Sequence, residues 1–255
     1  MLRCTQVSKT FSSPQGDVIA LQQVNLVAAA GEFVCLVGPS GCGKTTLLLL
    51  IAGLISPTAG HIQFPSSNGQ VQTALVFQEG GLFPWLTVLD NVAFGLEMRG
   101  VPAAARRKQA ADFLILVGLA SFLSHYPHQL SAGMRQRAAL ARSFVTDAPV
   151  LLMDEPFAAL DAQMRWILQE ELLRVWREHR KTVVYVTHDV GEALRLGDRV
   201  VVMTARPGRV CYEVVVPEAH RRSLDGGADS AWRQEERLKI WKLIRTEVER
   251  SLDNS

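Results

Sequence analysis

Glu32-Phe-Val-Cys-Leu-Val37 runs straight into Gly38-Pro-Ser-Gly-Cys-Gly43-Lys44-Thr45, and this junction decides the fold. An apolar run without polar alternation reads as a short strand buried on both faces. The turn after it matches GxxxxGK[ST], whose glycines let consecutive backbone N–H groups converge on one anion. A helix is expected from Lys44 to about Gly53, where glycine supplies the stop. Strand, glycine turn and helix N-terminus together make a phosphate cradle. In it Lys44 would reach the β- and γ-phosphates of a nucleotide, and the Thr45 hydroxyl would hold Mg²⁺.

Upstream of the junction, Val18, Ile19, Leu21, Val24, Leu26 and Val27 mark short strands. Downstream, residues 56–72 are rich in Pro, Gly, Ser and Asn and read as turns between short strands, and 74–77 is a second buried strand. From Val88 to about Phe144 the pattern turns helical, with helices over 103–117 and 132–144. Buried strands return at 150–153 and 182–187, separated by a helix whose apolar face is Met164, Leu168, Leu172 and Val175. Residues 200–203 and 210–216 are two more strands, joined by an Ala-Arg-Pro-Gly turn. Residues 217–230 read as a linker. Leu238, Trp241, Ile244, Val248 and Leu252 then give the apolar face of a C-terminal amphipathic helix docked on the core. This alternation predicts an α/β fold with a parallel sheet and a helical insertion.

The 27 basic and 25 acidic residues leave a net charge of +2, which gives no general electrostatic case for nucleic acid. An apolar fraction of 48% and a charged fraction of 20% exclude disorder of the whole chain. The longest apolar run, Leu47-Leu-Leu-Leu-Ile-Ala-Gly-Leu-Ile55, is about half the roughly 20 residues that cross a bilayer. The start, MLRCTQVSKTF, lacks the apolar core of a signal peptide. The four cysteines are scattered without a CxxC pair, and Pro127 interrupts the HxxH of residues 125–128, so neither a disulfide framework nor a metal site is expected. Composition alone predicts a soluble cytosolic protein.

Asp154 and Glu155 directly follow the apolar Val150-Leu-Leu-Met153. A buried strand delivers such carboxylates to its C-terminal end, where α/β sheets place their ligands. There Asp154 would hold Mg²⁺ through water, and Glu155 would polarise the attacking water as general base.

With both motifs in place, the chain resembles the ATP-binding subunits of ABC transporters over nearly its whole length. The most specific segment is Leu130-Ser-Ala-Gly-Met-Arg-Gln-Arg137, similar to the family signature LSGGQ-x-QR. The resemblance implies a P-loop NTPase (RecA-like) core with an antiparallel β subdomain and an inserted α-helical signature subdomain. The core would take 1–89 and 146–216, the helical subdomain 90–145, and the linker with C-terminal helix 217–255.

The resemblance also implies site roles. ATP would be held by Phe11, stacked on adenine, and by Gly38, Pro39, Ser40, Gly41, Cys42, Gly43, Lys44, Thr45 and Thr46. Ser131, Ala132 and Gly133, with Asp161 of the D-loop, would act on ATP held by the opposite subunit. A helix N-terminus with a hydroxyl and a glycine N–H suits a γ-phosphate. Ala132 stands where the family usually has Gly, which would matter only if the position required positive φ. Gln78 resembles the Q-loop glutamine that senses Mg²⁺ and water, and His188 the switch histidine on the γ-phosphate. Glu155, His188, Gln78 and Lys44 are thus the expected catalytic set, and Thr45, Gln78 and Asp154 the metal set.

Phe77-Gln-Glu-Gly-Gly-Leu-Phe-Pro-Trp-Leu-Thr-Val-Leu-Asp-Asn-Val92, Asp154-Glu-Pro-Phe-Ala-Ala-Leu-Asp161 and Arg206-Pro-Gly-Arg-Val210 are similar to importers of nitrate, sulfonate, taurine or bicarbonate. Thiamine-precursor importers share much of this pattern. The implied partners are a second ATPase subunit, identical or paralogous, an integral membrane permease received near Gln78 and residues 83–86, and an extracytoplasmic solute-binding protein. The implied location is peripheral, on the cytoplasmic face of the bacterial inner membrane. Soluble ABC-type ATPases of DNA or ribosomes carry long insertions or paired halves that 255 residues cannot hold. A small-molecule P-loop kinase leaves the signature segment unexplained.

Overall fold

The computed structural model describes residues 1–14, 16–64, 73–77, 81–158, 160–220 and 231–253. In chain order the elements are β1 (Leu2–Phe11), β2 (Val18–Ala28), β3 (Phe33–Val37), α1 (Lys44–Ile51), β4 (Ala59–Gln63), β5 (Thr73–Val76), α2 (Val88–Met98), α3 (Ala103–Leu116) and α4 (Ala132–Val145). They continue with β6 (Val150–Asp154), α5 (Ala162–His179), β7 (Thr182–Val186), α6 (Val190–Leu196), β8 (Arg199–Met203), β9 (Val210–Val215) and α7 (Ala231–Asp253). The chain divides into two compact units, Met1–Gln70 with Thr182–Ser255, and Val71–Lys181.

In the first unit β3 is the central strand. It pairs parallel with β7 on one side and with β8 on the other, and β9 closes the edge antiparallel to β8. Every residue of β3 and β7 is buried, which is why both sequences are unbroken apolar runs. A second sheet of β2, β1 and β4 is antiparallel, and its alternating burial leaves one face to solvent. The weak strand signals before residue 30 thus become two long strands of 10 and 11 residues.

The second unit pairs β5 parallel with β6 in the register Val76↔Met153. Helices α2, α3 and α4 pack around Val88, Val92, Leu96, Ala110, Leu114 and Ala138. Each fully buried Val or Leu contributes about 1.5–3 kcal/mol. Asn91 fixes the entry to α2: its amide accepts from Phe83 N at 2.7 Å and donates to the carbonyls of Phe83, Leu86 and Thr87 at 3.0 Å.

α7 lies in the first unit and departs from the expected docking face. Ile240 is fully buried and Ile244 half-buried, while Leu238 and Trp241 stand more than half exposed. Polar anchors add to the buried Ile240. Tyr212 donates to Glu236 at 3.0 Å, Ala205 N donates to Glu247 at 3.1 Å, and Arg233 donates to the carbonyl of His220.

Candidate functional site

The first half of the site grows from the end of β3. Gly38 and Pro39 are buried, Ser40 and Gly41 exposed, and Cys42 buried again before α1 begins. Gly41 and Gly43 have φ of 72° and 103°, values that an L side chain rarely adopts. A Cβ on Gly43 would lie 2.6 Å from Leu21 Cδ2, and one on Gly38 2.8 Å from the Met203 carbonyl oxygen, so the loop is tight against its surroundings. Gly43 is the N-cap of α1 and offers no side-chain cap, which leaves the helix start to an external acceptor.

Lys44 is 7% exposed, and its ammonium donates to the carbonyls of Gly38 and Pro39 at 2.9 and 2.8 Å and to Cys42 Sγ at 3.6 Å. Burial pushes the Cys42 thiol up against the opposing pull of the Lys44 charge, so the thiol stays neutral at pH 7. Thr45 is exposed and Thr46 half-buried at the open end of the helix. The glycine torsions, the bare helix start and a cation at its base fit a polyphosphate, and the exposed Thr45 hydroxyl fits a hard cation such as Mg²⁺.

His188 belongs to the same unit. β7 pairs with β3 in the register Leu36↔Val186, and Thr187 N donates to Leu36 O at 3.1 Å. The exposed His188 therefore leaves the sheet at the end where the phosphate loop begins. Beneath it lies a network that sequence reasoning missed. The carboxylate of the buried Glu192 accepts from Tyr185 Oη at 2.8 Å and from the Thr187 hydroxyl, and Asp189 caps α6 through Glu192 N at 3.1 Å. Burial, then the Glu192 charge, hold the Tyr185 phenol well above its usual range, so it remains a donor. The one available signal was the D-x-x-E spacing of a capping box, but Glu192 turns inward to Tyr185 and Thr187 instead. Phe11 ends β1 with 43% of its surface exposed, and Lys9 Nζ sits 5.0 Å from its ring centroid.

The second unit carries the other residues expected from the sequence. β6 presents Asp154 and then Glu155, both half-buried. Glu155 has φ of 43°, an uncommon backbone for a non-glycine residue that costs about 1–3 kcal/mol. Such strain persists only where the surrounding structure holds the backbone in place.

Ser131 is the N-cap of α4 and accepts from Met134 N at 3.3 Å. Ala132 is the first helical residue and is absent from the positive-φ residues, so this position does not need glycine. Gly133 is tightly placed, since a Cβ there would meet Met164 Cγ at 3.1 Å. Asp161 caps α5 by accepting from Met164 N at 2.9 Å. The helix starts at residues 131 and 161 thus meet through Met164. Gln78 lies outside the described residues. In the expected permease groove, Phe83 is packed 4.7 Å from the Phe94 centroid, while Trp85 is 70% exposed.

Comparison with known proteins identifies the family. The family model described as ABC transporter matches residues 21–158. A taurine import ATP-binding protein of Roseobacter denitrificans is 44% identical over 237 residues, covering 91% of this chain and 87% of that protein. A nitrate import ATP-binding protein of Synechocystis is 44% identical over 221 residues, covering 84% and 82%. Among solved structures, a dimeric ATP-binding cassette in a post-hydrolysis state bound to ADP and Pi superposes with a TM-score of 0.75 at 33% identity, over 85% of this chain and 99% of that one. The fold is accordingly that of the P-loop NTPase class in its ABC form. No helix among the described residues is long and apolar enough to cross a membrane. The chain belongs to the ABC transporter family, as an ATP-hydrolysing, ATP-binding subunit resembling the nitrate and taurine import group.

Proposed function

We propose that this chain drives the uptake of a small oxyanion or sulfonate, such as nitrate, taurine, another aliphatic sulfonate or bicarbonate, from the cytoplasmic face of the bacterial inner membrane. The observation that carries the catalytic part is the phosphate loop, with Gly43 at φ 103° before an uncapped helix and Lys44 at its base. The likeness to taurine and nitrate import subunits supports the cargo class.

In the proposed reaction the N–H groups of residues 41–46 and Lys44 bind the β- and γ-phosphates, and Phe11 offers its exposed ring to adenine. Glu155 orients a water whose oxygen attacks the γ-phosphorus, and takes up its proton as the bond to the bridging oxygen breaks and ADP leaves. His188 donates to a γ-phosphate oxygen. Thr45, Asp154 and Gln78 would hold Mg²⁺, the group that would supply positive charge beside the phosphates. Ser131, Ala132 and Gly133, with Asp161, serve ATP held by the second subunit, so two copies or paralogues complete each other's sites head to tail. Residues 90–145 act as the signature subdomain of the 1–89 and 146–216 core. Exposed Trp85 contributes to the surface that receives the permease, and an extracytoplasmic solute-binding protein supplies cargo to that permease. Nucleic acid has no part in the cycle.

Uptake of a panel of oxyanions, sulfonates and thiamine precursors in a strain lacking this chain tests the cargo. Loss of taurine, nitrate or bicarbonate uptake, restored by the wild-type chain but not by Lys44→Ala, is the expected result. Unchanged uptake of every oxyanion and sulfonate would refute it.

A further inference from the structure

The Arg206-Pro-Gly-Arg209 segment forms the turn between β8 and β9 and touches the phosphate loop twice. Arg206 Nη2 donates to the Gly41 carbonyl at 3.3 Å. A Cβ on Gly208 would lie 2.0 Å from the Cys42 carbonyl oxygen, so the turn presses its bare backbone against the loop. The turn is itself firmly held. Arg209 N donates to Thr204 Oγ1 at 3.0 Å, Thr204 Oγ1 donates to Pro207 O at 3.1 Å, and Gly208 N donates to Ala20 O at 2.9 Å. On its far side Glu247 of α7 accepts from Ala205 N at 3.1 Å, while its other oxygen accepts from Arg250 at 2.8 Å. Helix α7, the turn and the phosphate loop all line a cleft of about 860 Å³.

The direction of these contacts matters. In a trans peptide the carbonyl and the following N–H point opposite ways. A Gly41 carbonyl drawn to Arg206, and a Cys42 carbonyl facing Gly208, turn the N–H groups of Cys42 and Gly43 away from the turn, that of Cys42 toward the Pro39 carbonyl at 3.4 Å. The conformation that a phosphate needs is therefore braced from behind, and the brace ends on the C-terminal helix.

We propose that the turn of residues 206–209 is a positioning element of the phosphate loop, and that Glu247 sets it, so that α7 tunes nucleotide affinity. This rests on the assignment of residues 38–46 as the ATP site. Glu247 and Arg206 act through the loop and touch no nucleotide.

The test is ATP binding by the full chain, measured by calorimetry for wild type, Arg206→Ala, Glu247→Ala, the double variant, Glu247→Gln and Lys44→Ala. Arg206→Ala and Glu247→Ala should each weaken binding about fivefold, the worth of one hydrogen bond. The double variant should weaken it no more than the stronger single change, because both act through one turn. Glu247→Gln keeps an acceptor toward Ala205 N and should restore wild-type affinity. In turnover, KM for ATP should rise while kcat moves less than twofold. Binding within twofold of wild type in both alanine variants, or additive losses in the double variant, overturns the proposal. Failure of the wild-type chain to bind ATP, or normal binding by Lys44→Ala, instead overturns the assignment of the ATP site, and this proposal with it.

Discussion

Gly43→Ala is the most direct probe of how the cradle is built. Gly43 sits at φ 103° and ψ 11°, outside the regions open to an L side chain. Holding alanine near that conformation costs about 1–2 kcal/mol. The new methyl would also lie 2.6 Å from Leu21 Cδ2 and 3.0 Å from the Ala20 carbonyl oxygen. Leu21 is fully buried and Ala20 O belongs to backbone, so neither yields freely, and the overlap adds about 1–3 kcal/mol. The expected total is about 2–5 kcal/mol, met by shifting β2 or by opening the loop. Gly53→Ala is the matched control. It carries φ 71° but nothing lies within 4 Å of its Cβ, so only the backbone cost of about 1 kcal/mol applies. Urea unfolding followed by tryptophan fluorescence gives the stability difference, and ATP binding shows whether the loop opened. A Gly43→Ala loss within about 0.5 kcal/mol of Gly53→Ala, with ATP affinity intact, would refute the steric argument.

Glu155→Gln should lower ATP turnover by roughly 10²–10⁴ while preserving ATP-dependent dimerisation on a sizing column, and near-normal turnover would end its assignment as base. Burial pushes the Lys181 ammonium from 10.5 down to about 8, with Asp147 opposing and Arg99 assisting. The unfolded chain then binds the extra proton between those values, so stability should rise from pH 8 to 10.5. After solvent screening the contribution is roughly 1–2 kcal/mol. Urea titrations of wild type and Lys181→Met at several pH values should show that rise only in the wild type; parallel curves would contradict it. Asp161→Ala should cost about 1 kcal/mol through loss of the α5 cap, whereas Asp161→Asn keeps the acceptor and the stability. ATPase activity that tracks stability in both variants would leave Asp161 with a capping role alone.

The strands that carry the site were legible because burial on both faces leaves an unmistakable apolar run. β3, β6 and β7 all appear within a residue or two of the pattern-based bounds, and the glycine turn after β3 speaks through torsions that only glycine tolerates cheaply. Helix α7 was less legible. Periodicity selects Leu238, Trp241, Ile244, Val248 and Leu252; of these Leu238, Trp241 and Val248 are exposed, Ile244 is half-buried and the Leu252 side chain lies outside the described ones, while Ile240 is buried and Glu236 and Glu247 accept from Tyr212 and Ala205 N. Spacing rules count methyl groups and cannot see such partners. Glu192 escaped for the same reason, since a buried acid is recognised by what it accepts from and not by its place in a pattern.

The left-handed backbone at Glu155 has a consequence for anyone improving this protein. Glycine would relieve the torsion there, so Glu155→Gly is favoured by any procedure that scores only folding. With Glu155 as the proposed base, directed evolution for yield would thus pull this position away from the residue that ATP turnover needs. Libraries selected on expression should hold this codon fixed.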